Sequence, residues 1–378
     1  MAGRSSQQRS AIERQNAAIM AVFERAGFDH IAPDIIQPAD IFLERSGEDI
    51  RARTFVFTDP AGAEMCLRPD LTVPACRYHL SHEKNPQAER RYCYLGPAFR
   101  FPDERLSPQE FSQAGLEWFA SPDPVATEAR ILKLTISALE AAGLSKLTVT
   151  LGDLGLFSAL LDDTDMPARW RRRLRHHFWR PQAFRELLES FTAERGRQRS
   201  SISPLIDRVS GDAETLVATE LDARKLPLVG DREVAEIAAR LAEKAADRKE
   251  KPLPRALADQ LIAYLAVETE ASNADAQFAE ISGGKRFAGA RDYYKKRLDE
   301  MEELGLNPRR FKFAADFGRE LEYYTGFTFQ IDAETSDGPV TVAGGGRYDN
   351  LLSDMGAASP IPAVGCAIHT DRLKAVLA

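Results

Sequence analysis

The sequence changes character twice, and the two changes divide the chain into three stretches. Residues 1–151 and 305–378 contain short runs of β-branched and aromatic residues separated by Gly, Pro and Asp. Residues 152–304 are rich in Ala, Leu, Glu and Arg, a composition that favours helices. Strand-like and helical patterns do not alternate along the chain, which favours an antiparallel sheet over a doubly wound parallel one. We therefore predict an α+β fold in which a strand-rich module is split by a mostly helical insertion.

Local patterns predict the elements of the strand-rich module. A helix is expected over 6–25, because apolar residues recur at helical spacing and Gly27 follows as a stop signal. The turn residues 59–62 predict a hairpin between strands 54–58 and 64–67. Further helices are expected over 71–78, 124–142, 347–353 and 371–377, and further strands over 92–100, 110–119, 147–151, 312–316, 322–332, 340–343 and 364–368.

Composition restricts the class of protein. Hydrophobic residues make up 44% of the chain and charged residues 28%, which is typical of a globular protein. No apolar run approaches the roughly 20 residues of a membrane span, and the N-terminus shows no secretory signal. The four cysteines form no CxxC pair, so we predict no metal site and a reducing, cytoplasmic compartment. The net charge of −7 gives no support to a dedicated nucleic-acid-binding protein.

Five short segments stand out because their polar residues occur in a particular order. They are LRPDLT at 67–72, GPAFR at 96–100, EFSQAGLE at 110–117, GRELEYYTG at 318–326 and GGGRYD at 344–349. Their order and spacing resemble the catalytic core of histidyl-tRNA synthetase, a class II aminoacyl-tRNA synthetase. Each segment alone is a weak signal, but the ordered set is specific because independent matches multiply. The resemblance implies a class II synthetase-like antiparallel sheet flanked by helices.

The resemblance also implies a pocket for free histidine. Carboxylate and hydroxyl acceptors suit an ammonium group, and guanidinium and amide donors suit an α-carboxylate. The two imidazole nitrogens need one polar partner each, and Glu117 and Tyr324 match the family positions of those partners. No residue is assigned a catalytic role. The candidate histidine-binding residues are Asp70 and Thr72 for the ammonium group, Arg100, Gln113 and Arg319 for the carboxylate, and Glu117, Tyr323 and Tyr324.

The same side chains also have ordinary structural interpretations. Arg100 and Glu117 can form an ion pair across two strands, and the two adjacent tyrosines can pack in the core. Arg347 can cap a following helix together with Asp349. The three glycines at 344–346 can form a tight strand-to-helix turn, whereas in the family they leave room for the amino acid. Because the whole set occurs in family order, we favour the ligand pocket.

For two further features we favour an ordinary structural role over a functional one. The basic run from Arg169 to Arg180 contains aromatic residues and could bind RNA or a polyphosphate. A solvated helix face neutralised by nearby acids, or a protein contact, is the interpretation that we favour. His369 is interpreted as a packing residue.

The chain departs from a working synthetase at several positions. The loop over 101–109 is short and contains two prolines, which weakens the expected nucleotide contacts. Glu320 places a negative charge where α-phosphate charge would develop, and His369 replaces a glycine that lets the backbone approach ATP. Asp34 stands where the first motif has its proline, whereas Arg372 is retained. We also expect no anticodon-binding domain after the last motif.

This combination resembles the histidyl-tRNA-synthetase-like regulatory subunits of ATP phosphoribosyltransferase. The resemblance implies a non-catalytic subunit without a cofactor that activates a separate short-form catalytic subunit. It implies a role in the first step of histidine biosynthesis and in feedback inhibition by free histidine. It also implies a homodimeric core within a hetero-oligomer, most commonly a hetero-octamer, and no nucleic-acid partner.

Two alternative functions stay open on the sequence alone. One is an active histidyl-tRNA synthetase paralogue that forms histidyl-adenylate, which the arginines Arg100, Arg319 and Arg372 favour. The other is a histidine-dependent RNA-binding regulator that uses the basic run. Histidine-dependent ATP–pyrophosphate exchange separates the first alternative from the other functions.

Overall fold

The structure is a computed structural model. It describes residues 5–45, 52–102, 109–178, 180–193, 205–206, 208–209, 212–225, 233–318 and 323–377. The chain divides into two compact units, of which the first comprises Met1–Thr164 with Ala263–Ala378 and the second comprises Asp165–Ile262. The two ends of the helix-rich stretch at 152–304 therefore belong to the unit that contains the strands. The domain division expected from the sequence stays a prediction.

The helices and strands follow one another in a simple order. Up to the second unit they are α1 (Ser6–Arg25), β1 (Asp29–His30), β2 (Ile36–Pro38), α2 (Asp40–Arg45), β3 (Phe55–Thr58), β4 (Glu64–Leu67), α3 (Thr72–His82), β5 (Arg90–Phe99), β6 (Glu110–Phe119), α4 (Pro124–Ala141), β7 (Leu147–Asp153) and α5 (Leu154–Asp162). The helices that follow are α6 (Ala168–His177), α7 (Pro181–Thr192), α8 (Ala213–Ala223), α9 (Val234–Lys249) and α10 (Arg255–Leu265). The chain continues with β8 (Glu268–Glu270), α11 (Ala274–Ala279), α12 (Lys285–Glu303), β9 (Lys312–Ala314), β10 (Phe327–Thr335), β11 (Gly338–Arg347), α13 (Leu351–Asp354), β12 (Ala363–His369) and α14 (Thr370–Val376).

A nine-stranded sheet organises the first unit, with the strand order β1-β5-β6-β12-β11-β10-β7-β9-β8. Its neighbouring strands are antiparallel except for the pairs β1–β5 and β7–β9. Helices α1 and α4 pack against each other, and α4 also packs on β11 and β12. The predicted α+β class with an antiparallel sheet is therefore confirmed.

Local chemistry explains why several predicted elements form where expected. Helix α1 begins with a capping box, in which Ser5 and Gln8 bond each other's backbone amides, and it ends before Gly27 at a φ of +83°. The carboxylate of Asp59 accepts the amide protons of Ala61 and Ala63, both at 2.8 Å, which closes the hairpin turn between β3 and β4.

One prediction and one alternative interpretation near the glycine-rich segment are wrong. The glycines at 344–346 form no turn, because all three lie within β11 and pair with residues 365–367 of β12. The expected helix over 347–353 shrinks to α13, and Arg347 ends the strand instead of capping a helix. Glycine allows the close approach here, since a Cβ atom on Gly345 would lie 2.8 Å from Cα of Cys366.

A second prediction placed the start of strand β10 too early. The sequence predicts a strand from 322 to 332, whereas β10 begins at Phe327 and runs to Thr335. Residues 319–322 lie outside the described part of the chain, and Tyr323 forms part of a turn. The two tyrosines therefore precede strand β10 and are not part of it.

In the second unit, the basic helix α6 is paired with acidic residues of α9 and the residue after it. The guanidinium of Arg169 bonds Asp247 at 2.8 Å and Glu250 at 2.7 Å, and Arg173 bonds Asp247 at 2.8 Å. The indole of Trp170 donates to the same Asp247 carboxylate at 2.6 Å. This pairing agrees with the interpretation of the basic run as a neutralised helix face.

A second, three-stranded sheet in the first unit has the order β2-β4-β3. Opposite residues on neighbouring strands share a face, and residues two apart along a strand share it as well. One face carries Gln37 and Cys66, which are buried. The opposite side, which we name the apolar face, consists of Ile36, Pro38, Phe55, Phe57, Met65 and Leu67.

All residues of the apolar face are at least partly exposed, with Ile36 at 52% and Phe57 at 39%. The ring of Phe101, itself 44% exposed, lies 3.8 Å from the ring of Phe55 and extends the face. Exposed apolar surfaces of this kind are typical of interfaces. Among the described residues, no helix is both long enough and apolar enough to cross a membrane.

Candidate amino-acid-binding site

A small cavity lies in the first unit where the large sheet meets the segments that precede α3 and β10. Its volume is about 20 Å³, which is room for about one water molecule. An amino acid therefore enters only if lining side chains move. The cavity is lined by Asp70, Thr72, Arg100, Gln113, Tyr323, Tyr324, Gly344, Tyr348, Gly365, Cys366, Ala367 and His369.

The end of strand β4 positions the first wall of the cavity. Buried Arg68 donates from Nε to the carbonyl of Pro97 at 2.8 Å and from Nη1 to the carbonyl of Pro33. These bonds fix the chain just before Asp70, which precedes helix α3. The missing side chain of Gly96 makes room for the guanidinium, since a Cβ atom there would overlap it.

Asp70 and Gln113 present unpaired acceptors to the cavity. Asp70 is 3% exposed, and its Oδ1 accepts the amide proton of Val73 at 3.2 Å, whereas its Oδ2 has no partner among the protein groups. Gln113 is 2% exposed, and its Oε1 also has no protein partner. Burial raises the pKa of Asp70, although the positive charge of Arg100 opposes the shift. Because buried polar atoms are nearly always paired, two unpaired acceptors in one cavity indicate a place for a donor.

Glu117 lies behind the cavity wall and is fully buried. Its Oε1 accepts a hydrogen bond from the hydroxyl of Tyr94 at 2.9 Å, and its Oε2 accepts one from the hydroxyl of Tyr348. Burial raises the pKa of Glu117 to about 8, even though hydrogen bonds from Tyr348, Tyr94 and Thr72 favour the ionised form. Gly365 leaves space for this carboxylate, because a Cβ atom there would overlap Oε2.

The structure brings most of the predicted site residues to one place. Six of the eight candidates line the cavity, and Glu117 lies directly behind Gly365 and Tyr348. The eighth, Arg319, lies outside the described residues, as do Glu320 and most of the loop over 101–109. Whether these side chains bind histidine stays a prediction.

Glu117 does not form the alternative ion pair with Arg100, because its two oxygens bond Tyr94 and Tyr348. Nε of Arg100 donates to the carbonyl of Pro69 at 2.8 Å, and its guanidinium carbon lies 5.3 Å from the ring centre of Phe111. Arg100 thus faces the Asp70 side of the cavity, whereas Glu117 is enclosed by tyrosines. The two side chains serve different ends of the site.

Sequence reasoning missed several residues that line the cavity or bond Glu117 behind it. Tyr348 was visible as the aromatic residue of the GGGRYD segment, but nothing in the pattern linked it to Glu117. Tyr94 carried no motif signal, and only strand register reveals it, because it lies opposite Gly115. A Cβ atom on Gly115 would lie 2.5 Å from the Tyr94 hydroxyl, so the glycine makes room for the ring. His369 packs 5.4 Å from Phe111 and also lines the cavity.

The described ranges of the chain contain no candidate metal-binding site. They contain no group of three or more His, Cys, Asp or Glu side chains placed to hold a metal ion. The chemistry of the cavity is instead that of carboxylate, amide, guanidinium and phenol groups.

The antiparallel sheet with its flanking helices defines a class II aminoacyl-tRNA synthetase-like fold. A structure of a protein described as an ATP phosphoribosyltransferase regulatory subunit/histidyl-tRNA synthetase from Bacillus halodurans superposes with a TM-score of 0.72 at 20% identity, covering 100% of this chain and 82% of that one. Histidyl-tRNA synthetase from S. aureus superposes with a TM-score of 0.58 at 16% identity, covering 100% of this chain and 72% of its own. Identities this low establish the fold alone.

Sequence comparison identifies the family. The model of the histidyl-tRNA synthetase family matches residues 3–249 and 228–373. The ATP phosphoribosyltransferase regulatory subunit of Sinorhizobium medicae is 34% identical over 94% of this chain and 95% of its own length. The corresponding protein of Brucella anthropi is 34% identical over 90% of this chain and 91% of its own. The chain belongs to the ATP phosphoribosyltransferase regulatory subunits, within the wider histidyl-tRNA synthetase family.

Proposed function

We propose that this chain is a non-catalytic regulatory subunit of ATP phosphoribosyltransferase that senses free histidine in the cavity described above. The observation that carries the proposal is the pair of buried, unpaired acceptors Asp70 Oδ2 and Gln113 Oε1 in one cavity. An ammonium group supplies a donor to each of these oxygens, which leaves the side-chain NH2 of Gln113 to donate to the α-carboxylate, and a charge-assisted hydrogen bond to a carboxylate is among the stronger kinds. The relatives named ATP phosphoribosyltransferase regulatory subunits support the same function.

The proposed binding mode divides the site into two ends. Asp70 and Thr72 hold the ammonium group, while Arg100, the Gln113 amide and Arg319 hold the carboxylate. Glu117 lies at the imidazole end, with Tyr323 and Tyr324 alongside the ligand. A buried polar site rejects ligands that leave its groups unpaired, so this end selects histidine over apolar amino acids.

The effect of histidine is exerted on another chain. A subunit without chemistry of its own acts by changing the activity of its partner, which we propose is a short-form catalytic subunit that is nearly inactive alone. The complex would catalyse the first step of histidine biosynthesis and would be inhibited by its end product. Neither a cofactor nor a nucleic acid is part of this proposal.

A homodimeric core within a hetero-octamer completes the proposal. The apolar face supports the homodimer, because it carries no charged residue among its six members. Two copies of a chain with a net charge of −7 repel one another, so a lasting contact between them favours a charge-free patch. Permanent homodimer interfaces are also more apolar than transient ones.

Titration calorimetry with L-histidine tests the binding proposal. Micromolar affinity corresponds to about −8 kcal/mol, which a few charge-assisted hydrogen bonds supply. Asp70→Asn should weaken binding strongly, whereas Glu64→Gln, a change of the same type at an exposed position outside the cavity, should not. Absence of heat up to millimolar histidine would refute the proposal. Robust histidine-dependent pyrophosphate exchange would indicate an active synthetase instead.

A further inference from the structure

A closed ring of hydrogen bonds joins the two segments that carry the pocket tyrosines. The carbonyl of Arg347 accepts the amide proton of Thr325 at 2.8 Å. The hydroxyl of Thr325 in turn accepts the amide proton of Asp349 at 3.1 Å. The carboxylate of Asp349 closes the ring by accepting from Nη1 of Arg347 at 2.9 Å, and it also accepts the amide proton of Ala363 at 2.9 Å.

Two of the three tyrosines that line the cavity are covalently next to a member of this ring. Tyr324 immediately precedes Thr325, and Tyr348 lies between Arg347 and Asp349. Both tyrosines line the cavity, and the hydroxyl of Tyr348 bonds Glu117. The backbone positions of the two tyrosines are therefore set by the ring.

The ring is anchored in the core through buried charges. Nε of Arg347 bonds Oε1 of Glu128 on helix α4, and Nη2 donates to the carbonyl of Pro124 at 3.0 Å. Glu128 is fully buried, and its Oε2 accepts from Arg297 of helix α12 at 2.8 Å. Arg297 also bonds Asp153 at the end of β7. Glu128 thus holds two arginines, of which one belongs to the ring.

We infer that Arg347, held by Glu128, is a positioning residue that fixes Tyr324 and Tyr348 in the amino-acid pocket. Arg347 is not among the residues that line the cavity, and it acts through its neighbours in the chain. The inference rests on the proposed histidine site for its effect on binding, but the geometry it describes exists without a ligand.

The hydrogen bonds of Arg347 support a positioning role rather than a role in stability alone. A buried ion pair is weak evidence for stability, because apolar residues of similar volume often serve as well. An arginine fork, in contrast, fixes direction as well as distance through several donors in one plane. Arg347 uses three of its nitrogens on three different acceptors, namely Glu128, Asp349 and the Pro124 carbonyl. Such a fork holds its own backbone in one position.

The test uses two conservative variants and one matched control. Arg347→Lys keeps the charge but loses the fork, and Glu128→Gln keeps the shape but loses the charge. Asp275→Asn removes another ion pair of helix α12, the 2.8 Å contact with Arg291, which has no bond to the ring. Circular dichroism and thermal melting confirm that each variant folds. If Glu128→Gln fails to fold because two buried arginines lose their partner, the measurements on Arg347→Lys alone test the inference.

The first readout is amide hydrogen exchange in the ligand-free protein. Exchange at Thr325 and Asp349, the two backbone donors of the ring, should accelerate about tenfold or more in Arg347→Lys and stay unchanged in the control. Amides in the middle of β10 should keep their rates in all variants. If Thr325 and Asp349 exchange as slowly in Arg347→Lys as in the wild type, the inference is wrong.

The second readout is discrimination between histidine and ring-methylated histidine. Arg347→Lys should bind histidine about tenfold or more weakly, since small displacements of positioning groups have large effects, and should lose most of its preference over the methylated ligand. A uniform loss for both ligands indicates a merely structural role. If even the wild type binds no histidine, the proposed function fails while the exchange measurement still decides the positioning.

Discussion

The hydroxyl of Tyr348 donates to Oε2 of Glu117, and both side chains are fully buried. Tyr94 occupies the other carboxylate oxygen, so the group that we propose for imidazole recognition already has both oxygens bonded within the protein. Together with the cavity of about 20 Å³, this means that a ligand must displace protein contacts to reach Glu117. The free energy of histidine binding is consequently the difference between the hydrogen bonds that the ligand forms and the protein hydrogen bonds that it displaces.

The first prediction concerns stability against pH. Burial raises the pKa of Glu117 to about 8 in the folded protein, above the value of about 4.3 in an unfolded chain. The folded state thus holds the proton more tightly, so this contribution is fully present below pH 4.3 and is lost as pH rises through 8. Glu117→Gln does not titrate, so its stability relative to the wild type should increase by roughly 2–5 kcal/mol between pH 5 and pH 8.5.

Urea denaturation of the wild type and Glu117→Gln at both pH values measures this difference. All other titrating groups are common to the two proteins, so their effects cancel in the comparison. Parallel stability profiles across this pH range would mean that Glu117 titrates normally.

The second prediction concerns the pH dependence of histidine binding. Free histidine loses its ring proton near pH 6.5, and Glu117 loses its proton near pH 8. The bound pair is expected to share one proton. Below pH 6.5, unbound histidine and Glu117 each carry their titrating proton, so binding must release one of the two. Above pH 8 neither group carries its proton, so binding must take one up. Affinity should therefore be highest between these values and fall by about tenfold per pH unit on either side.

Calorimetry from pH 5 to pH 9 in buffers of different ionisation enthalpy checks this prediction. The apparent heat should depend on the buffer at both extremes and be nearly independent of it around pH 7. A flat affinity profile would argue against a proton shared between Glu117 and the ligand.

The third prediction concerns Gly365. A Cβ atom there would overlap Oε2 of Glu117 and lie 2.6 Å from the carbonyl of Leu116. The carbonyl belongs to the paired strand β6 and cannot move aside without distorting the sheet. Gly365→Ala should destabilise the protein by about 1–3 kcal/mol and abolish measurable histidine binding. Gly289→Ala, where a Cβ atom meets nothing within 4 Å, is the control for thermal melting and titration. Normal binding by Gly365→Ala would show that the Glu117 carboxylate tolerates displacement.

The fourth prediction concerns the apolar face. Phe57→Glu introduces a charge into the proposed homodimer contact and should convert the isolated chain to a monomer. Val56→Glu is the matched control, because Val56 lies on the same strand with 40% exposure but points to the other side of the sheet. Analytical ultracentrifugation gives the masses. A wild-type monomer, or a Phe57→Glu dimer, would assign the apolar face to a different contact.

Much of the fold was predictable because local chemistry determines it. Helix α1 and the β3–β4 hairpin have strong stop signals and turn residues, and both form at the expected positions. The glycines at 344–346 were ambiguous in the sequence because a run of glycines is compatible with a turn and with a close strand approach equally well. Only the neighbouring strand β12, distant in sequence, decides that Gly345 lies inside a sheet.

The site was partly predictable for a related reason. Asp70 and Gln113 belong to ordered motifs, so a resemblance locates them. Tyr94 and the Glu128–Arg347 pair are defined by strand register and helix packing, which join residues up to 219 positions apart in the chain. Such contacts have no local signature, and a single sequence does not reveal them.

The last prediction separates activation from inhibition. Adding this chain to a short-form catalytic subunit should raise ATP phosphoribosyltransferase activity, and histidine should then inhibit the complex. Coupling between two sites is typically worth about 1–3 kcal/mol, or roughly 5- to 150-fold in affinity. Glu117→Ala and Arg319→Ala should keep activation, because activation depends on the subunit interface, but should blunt inhibition, because inhibition depends on the pocket. Glu64→Gln should behave as the wild type in both assays. If Glu117→Ala and Arg319→Ala complexes remain as sensitive to histidine as the wild type, the effector site lies elsewhere, for example on the catalytic subunit.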